Sequence, residues 1–176
     1  ASPFYFITVL VIFKNQQMQS LILFYIFLVL SITDYLDGYL ARKFNITSIY
    51  GKVFDPISDK ILTSSALLFL SSIDNTILLP SILIIFREFL ISGIREFSLI
   101  NRKKNVNVTS LSKIKTTLQF FIISFLLILY SLQNKPLFIE VINICIYGLW
   151  LVTFLTLYTG FQYCYKIYQN NRIGIK

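Results

Sequence analysis

Four aspartates fall between positions 34 and 59 of an otherwise apolar chain, spaced as Asp34-x-x-Asp37-Gly38-x-x-Ala41-Arg42, eight further residues, then Gly51-x-x-x-Asp55-x-x-x-Asp59. They are half of the chain's eight acidic residues. A carboxylate in or beside a bilayer costs roughly several kcal/mol unless a counter-charge offsets it, so such a group marks a functional site by default. Donor sets made only of carboxylate oxygens suit hard cations such as Mg²⁺, Mn²⁺ or Ca²⁺. Zinc is disfavoured, because the chain has no histidine and its two cysteines, Cys145 and Cys164, have no metal-ligand spacing. Without imidazole, a general base must be a carboxylate or another group.

On a helix, positions three and four apart share a face. Asp34, Asp37, Gly38 and Ala41 therefore form one stripe if the helix carrying them runs on to its end, and Asp55 and Asp59 lie one turn apart with Gly51 one turn before. Gly38 and Ala41 leave the surface beside the acids open, so that a bulky ligand can lie against the backbone. The connection from Lys43 to Tyr50 is short, which makes the two helices antiparallel neighbours and brings both acid pairs together. Two cations about 4 Å apart, bridged by carboxylates, are the usual arrangement for displacement at phosphorus. Pro56 leaves two options: Asp55 caps a helix that has Pro56 in its first turn, or a helix starting near Thr47 runs through and is kinked. The plainer reading makes each aspartate a helix cap or half of a surface ion pair with Arg42, Lys43, Lys52 or Lys60. It accounts for one acid at a time, and poorly for four at these spacings with both glycines.

The elements that must position these acids are membrane helices. With 56% apolar residues in 176, the composition is far above soluble norms, and a single domain, residues 1–176, is expected. Apolar stretches near the roughly 20 residues needed to span a bilayer recur along the chain: Pro3 to Phe13, Ser20 to Leu40, Val53 to Ile73, Ile77 to Ile100, Leu111 to Leu132 and Leu137 to Tyr165. The first is too short to span alone, and the chain opens Ala1-Ser2-Pro3, so its start is read as cut away. Lys and Arg mark the cytosolic side. Arg42, Lys43, Lys52, Arg102, Lys103, Lys104, Lys113, Lys115, Lys166, Arg172 and Lys176 fall on one side, against Lys14 and Lys135 on the other. The expected fold is an all-α integral membrane protein with six transmembrane helices, the first N-terminally truncated, and both termini cytosolic. The net charge of +8 is then a one-sided basic surface suited to anionic head groups or phosphates. Nucleic acid is not an expected partner, because these charges flank hydrophobic spans.

The string from Asp34 to Asp59 resembles the signature of the CDP-alcohol phosphotransferase family, D-x2-D-G-x2-A-R-x8-G-x3-D-x3-D, with every fixed position filled. The family has six helices with this signature on the second and third, so the resemblance covers essentially the whole chain. It implies phosphoryl-group chemistry on a liponucleotide. By the same resemblance, Asp34, Asp37 and Asp55 bind two Mg²⁺ or Mn²⁺ ions, with Asp59 a further candidate ligand and the candidate general base for the acceptor hydroxyl. Asp34, Asp37, Gly38, Ala41, Arg42 and Gly51 correspond to nucleotide-binding positions. Members form homodimers, and a homodimer is expected here.

Arg87-Glu88-Phe89-Leu90-Ile91-Ser92-Gly93-Ile94-Arg95 crosses the fourth apolar stretch. Arg87 and Arg95 are about two turns apart and fall near one face, where two forked donors would form an anion pocket. Glu88 is a turn from neither and is expected to pair across helices. The plainer alternative is a buried ion-pair network tying spans together. Ser112-Lys113-Ile114-Lys115-Thr116-Thr117-Leu118-Gln119 follows the next loop, and for Lys115 alone a positive-inside anchor would suffice. Together these segments are similar to the R-E-F-x-x-S-G-x-R and G-K-x-K-T-x-x-Q patterns of the phosphatidylglycerophosphate-forming branch, with Ser112 in place of the usual glycine. That branch uses sn-glycerol 3-phosphate, a dianion, for which Arg87, Arg95, Lys113 and Lys115 are candidate phosphate partners. The expected function is metal-dependent phosphatidyl transfer from CDP-diacylglycerol to glycerol 3-phosphate, giving phosphatidylglycerophosphate and CMP. The setting is a bacterial-type plasma (inner) membrane with the site facing the cytosol. Another acceptor, such as inositol phosphate or serine, is the near alternative. A cation transporter or channel is the alternative of another class, and predicts acids near the midplane and an internal repeat.

Overall fold

The computed structural model describes residue 9 and residues 15–43, 49–100, 110–132 and 138–173. Over 34–43 apart from Leu36, over 49–56, 99–100, 110–113 and 170–173, and at positions 139 and 168, it describes the backbone course alone. The expected stretch from Pro3 to Phe13 lies, Val9 apart, outside the described residues. Those residues are helical, without a strand, in five long helices: α1 Gln16–Lys43, α2 Ile49–Ile73, α3 Leu78–Ile100, α4 Ser110–Ser131 and α5 Phe138–Ile173. Each overlaps an apolar stretch expected from the sequence, and α1, α2 and α5 run beyond it at one or both ends. Among the described residues, four segments are long and apolar enough to cross a bilayer: Gln16–Thr33, Asn75–Ser98, Ile114–Ser131 and Glu140–Ile167. At roughly 1.5 Å per residue, the 36 residues of α5 reach well beyond a hydrocarbon core of about 30 Å, carrying Arg172 past its apolar part.

α1 packs on α4, α4 on α5 and α3 on α5, while α2 touches α1, α3 and α4. The core residues recur at helical spacing: Leu23 and Phe27 on α1, Leu62, Ala66 and Leu70 on α2, Ile123 and Leu127 on α4, Leu149 and Val152 on α5. The Phe27 and Phe120 rings meet with centroids 5.3 Å apart, fixing α1 against α4. Gly148 sets the close approach of α5 to α4, since a Cβ there would lie 3.2 Å from Ile122 Cδ1. Small residues at helix contacts are the usual means of close packing where lipid removes the hydrophobic drive between helices.

Besides this apolar core, several polar side chains are buried while many large apolar ones face outward. Ser20, Thr63, Arg87, Lys115, Gln119, Thr153 and Thr159 are buried, whereas Phe86, Phe121, Ile144, Tyr147, Phe154 and Phe161 are exposed. This is the distribution expected when lipid surrounds the bundle. Several hydroxyls are satisfied within their own helix, as Thr153 Oγ1 donating to the Leu149 carbonyl at 2.8 Å.

α2 and α3 are joined by a short 3-10 helix, Asn75–Ile77, capped by Asp74 in extended conformation. Asp74 Oδ1 accepts from the Thr76 amide at 2.8 Å and the Thr76 hydroxyl at 2.7 Å. Its other oxygen accepts from the Tyr130 hydroxyl of α4, also at 2.7 Å. One carboxylate thus closes the turn and fastens it to a third helix.

Candidate functional site

α1 is continuous to Lys43 and therefore carries Asp34, Asp37, Gly38, Ala41 and Arg42 on one helix, as the stripe requires. α2 runs from Ile49 through Pro56. The option of Asp55 as an N-cap is thereby excluded, and Gly51, Asp55 and Asp59 lie on one helix at one-turn spacing. α1 and α2 pack against each other. The side chains of Asp34, Asp37, Gly38, Ala41, Arg42, Gly51, Asp55 and Lys113 lie outside what the structure describes. Asp59 is described, and it opens onto a cavity.

The cavity, of about 440 Å³, lies between α2, α3 and α4. α2 supplies Asp59, Lys60 and Thr63 to its wall, and α3 supplies Arg87, Glu88, Ser92 and Arg95. α4 supplies Lys115, Thr116, Thr117 and Gln119, with Ile91 and Phe120 as apolar wall. Three segments separated in sequence thus converge: the last aspartate of the signature, the charged stretch of α3 and the basic start of α4. At their ordinary charges the described residues of the lining include four cations, Lys60, Arg87, Arg95 and Lys115, against two carboxylates, Asp59 and Glu88. The formal excess is two positive charges, which matches a phosphate dianion.

The charges are held in place by bonds between helices. Glu88 Oε1 accepts from Arg87 Nη1 at 3.2 Å and also from the Lys115 ammonium of α4. Arg87 Nη2 donates to Thr159 Oγ1 of α5 at 2.9 Å. Arg87 and Lys115 are 8% and 2% exposed, so neither is a surface anchor. The expectation that Glu88 pairs across helices is met. Arg87, Glu88 and Lys115, which form the ion-pair network expected as the plainer reading, are also part of the cavity wall. Arg95, more exposed, lies with its guanidinium 5.8 Å from the centroid of the Tyr163 ring on α5, a cation–π contact.

Lys60, which by sequence is only a candidate ion-pair partner for the aspartates, lines the cavity. Its ammonium donates to Ser92 Oγ of α3. It follows Asp59 directly, and Ser92 lies one turn before Arg95, so both positions were within sight of residues singled out. Thr159 and Gly160 carried no signal of any kind, since only the packing of α5 brings them to Arg87.

The donor set on α1 and α2 is four carboxylates at helical spacing on two packed helices, with Asp59 at the cavity. Its chemistry fits a hard divalent cation.

A family model described as CDP-alcohol phosphatidyltransferase matches residues 2–158. Among similar proteins, the CDP-diacylglycerol–glycerol-3-phosphate 3-phosphatidyltransferase of Rickettsia felis is 44% identical over 138 residues, covering 78% of this chain and 74% of that protein. The protein of the same name from Rickettsia typhi is 40% identical over 157 residues, covering 89% and 86%. That from Bacillus subtilis is 37% identical over 141 residues, covering 80% and 70%.

Proposed function

The chain belongs to the CDP-alcohol phosphatidyltransferase family, and we infer from that membership that it transfers the phosphatidyl group of CDP-diacylglycerol to sn-glycerol 3-phosphate, releasing CMP. It is a transferase of phospholipid biosynthesis with several apolar helices, as an integral membrane protein requires. The observation that carries the acceptor assignment is the cavity beside Asp59, whose lining has two positive charges in excess among the described residues. An uncharged acceptor such as a diacylglycerol has no use for such a lining.

In this reading Arg87, Arg95, Lys113 and Lys115 hold the acceptor phosphate and leave the terminal of its two hydroxyls facing Asp59. Asp59 takes the hydroxyl proton as the oxygen bonds to the phosphatidyl phosphorus and the pyrophosphate bond breaks, CMP leaving with the bond's electrons. Arg42 and the open backbone at Gly38, Ala41 and Gly51 receive the nucleotide. The family is generally dependent on divalent metal. Asp34, Asp37, Asp55 and Asp59 would hold two Mg²⁺ or Mn²⁺ ions, whose bound charge would stabilise the pyrophosphate and the departing CMP. Interhelix bonds at Glu88 and Ser92 keep the cations oriented before substrate arrives, which lowers the cost of ordering them on binding.

The basic side of the sequence supports six spans with both termini and the site in the cytosol of a bacterial-type inner membrane. A homodimer is proposed from the family resemblance. The deciding experiment is CMP release from CDP-diacylglycerol by the purified protein with glycerol 3-phosphate, inositol phosphate or serine in turn. Turnover confined to glycerol 3-phosphate supports the assignment, and comparable rates with the others overturn it.

A further inference from the structure

We propose that one face of α5, formed by Thr159, Gly160 and Tyr163, positions the two arginines of α3 for the acceptor phosphate; the proposal rests on the acceptor reading given above. None of the three lines the cavity. Each touches an arginine that does.

Arg87 is buried within the bundle, and its side chain lies directly on the backbone of α5. A Cβ at Gly160 would come 2.9 Å from Arg87 Nε, 3.1 Å from Cγ and 3.6 Å from Cδ. Any residue but glycine at 160 would force Arg87 Nε to shift and would crowd its Cγ. The neighbouring Thr159 hydroxyl donates to the Leu155 carbonyl at 2.9 Å, which turns its lone pairs toward Arg87 Nη2, also at 2.9 Å. A hydroxyl can give one hydrogen bond and accept others at once, so both contacts are satisfied together. Glu88 holds Nη1 from the other side. The two clamps fix the guanidinium plane, and Nη1 and Nη2 each keep a second proton for a phosphate oxygen.

One turn on from Thr159, Tyr163 presents its ring to Arg95. The positions 159, 160 and 163 share a face, and through them a single helix sets the spacing and tilt of both arginines. An arginine binds phosphate bidentately only when its fork is correctly oriented, so α5 acts on acceptor affinity without touching the acceptor.

Steady-state kinetics of the full chain, with each substrate varied in turn, test this. Gly160→Ala, Thr159→Val and Tyr163→Leu are each expected to raise KM for glycerol 3-phosphate, by about tenfold for Gly160→Ala and less for the other two, leaving KM for CDP-diacylglycerol unchanged. Thr159→Ser and Tyr163→Phe, which keep the hydroxyl and the ring, should return KM for glycerol 3-phosphate to the original value. Equal rises in both KM values, or a loss confined to kcat, would mean a merely structural role and overturn the proposal. If Gly160→Ala fails to fold, the contrast between Thr159→Val and Thr159→Ser decides the question alone. Arg87→Gln separates this proposal from the reading beneath it. If Arg87→Gln leaves KM for glycerol 3-phosphate unchanged, the acceptor pocket itself is wrong. If it raises that KM while the α5 variants do not, the pocket stands and the positioning role falls.

Discussion

Glu88 of α3 receives the ammonium of Lys115 of α4 on the same carboxylate oxygen, Oε1, that Arg87 Nη1 reaches at 3.2 Å. One anion therefore serves two buried cations and leaves the group with a net positive charge facing the cavity. Removing that anion strands both cations in the bundle, and breaking a buried pair in this way costs about 3–5 kcal/mol. Glu88→Gln should lower thermal stability in detergent markedly, as followed by a thiol-reactive dye on the free Cys145 and Cys164. Adding Lys115→Met should recover part of the loss. A Glu88→Gln protein as stable as the original would show that the triad is not what binds α3 to α4.

Asp59, the signature aspartate whose side chain is described, stands at the cavity wall. Asp59→Asn keeps the shape and removes the basic oxygen, so transfer is expected to fall by about 10²–10⁴-fold, the usual contribution of a positioned base. Binding of CDP-diacylglycerol should largely survive. Turnover measured beside equilibrium binding checks both, and near-normal turnover would remove Asp59 from the role of base.

The oxygen-only donor set on α1 and α2 leads to an expectation for metal removal. Excess chelator should abolish CMP release, and Mg²⁺ or Mn²⁺ should restore it, whereas Zn²⁺ should not, since the preferred nitrogen and sulfur ligands are missing. Full activity in chelator would exclude a metal at these carboxylates.

The turn between α2 and α3 has its own pH dependence. Burial pushes the Asp74 carboxyl up, but hydrogen bonds from Tyr130 and from the Thr76 hydroxyl and amide outweigh it and hold the group below its ordinary value. A carboxyl depressed on folding contributes stability above its unfolded pKa of about 3.9, and that contribution is lost as pH falls through the folded value. The melting temperature should therefore drop more steeply below about pH 4 in the original protein than in Asp74→Asn. Tyr130→Phe, at a residue 4% exposed, should cost about 1 kcal/mol at neutral pH. Identical acid profiles for the original and Asp74→Asn would assign the acid sensitivity elsewhere.

Much of the chemistry was legible because it is written at helical spacing within single segments. The signature needs only that α1 and α2 be helices over their length, and a helix places residues three and four apart on one face whatever surrounds it. The same holds for Arg87 and Arg95, two turns apart on α3. Four candidate spans among the described residues were legible, because lipid demands long apolar runs with their backbone bonds satisfied internally. Charge cost inside those runs pointed to Arg87, Glu88 and Arg95 before any contact was known.

The pairing of those groups was not legible, since it joins residues far apart in the chain. Lys115 reaches Glu88 across 27 positions, Lys60 reaches Ser92 across 32, and Arg87 reaches Thr159 across 72. Periodicity says which residues share a face of one helix, and nothing about which faces meet. By itself the sequence determined the membrane helices, the aspartate signature and the residues whose charge needed a partner, because each follows from local geometry and the energetics of lipid. The tertiary structure alone decided that Glu88 would serve two cations, that Lys60 would join the cavity, and that Thr159 and Gly160 would seat Arg87. Those outcomes depend on how helices pack, and small residues such as Gly160 set that packing by what they leave out.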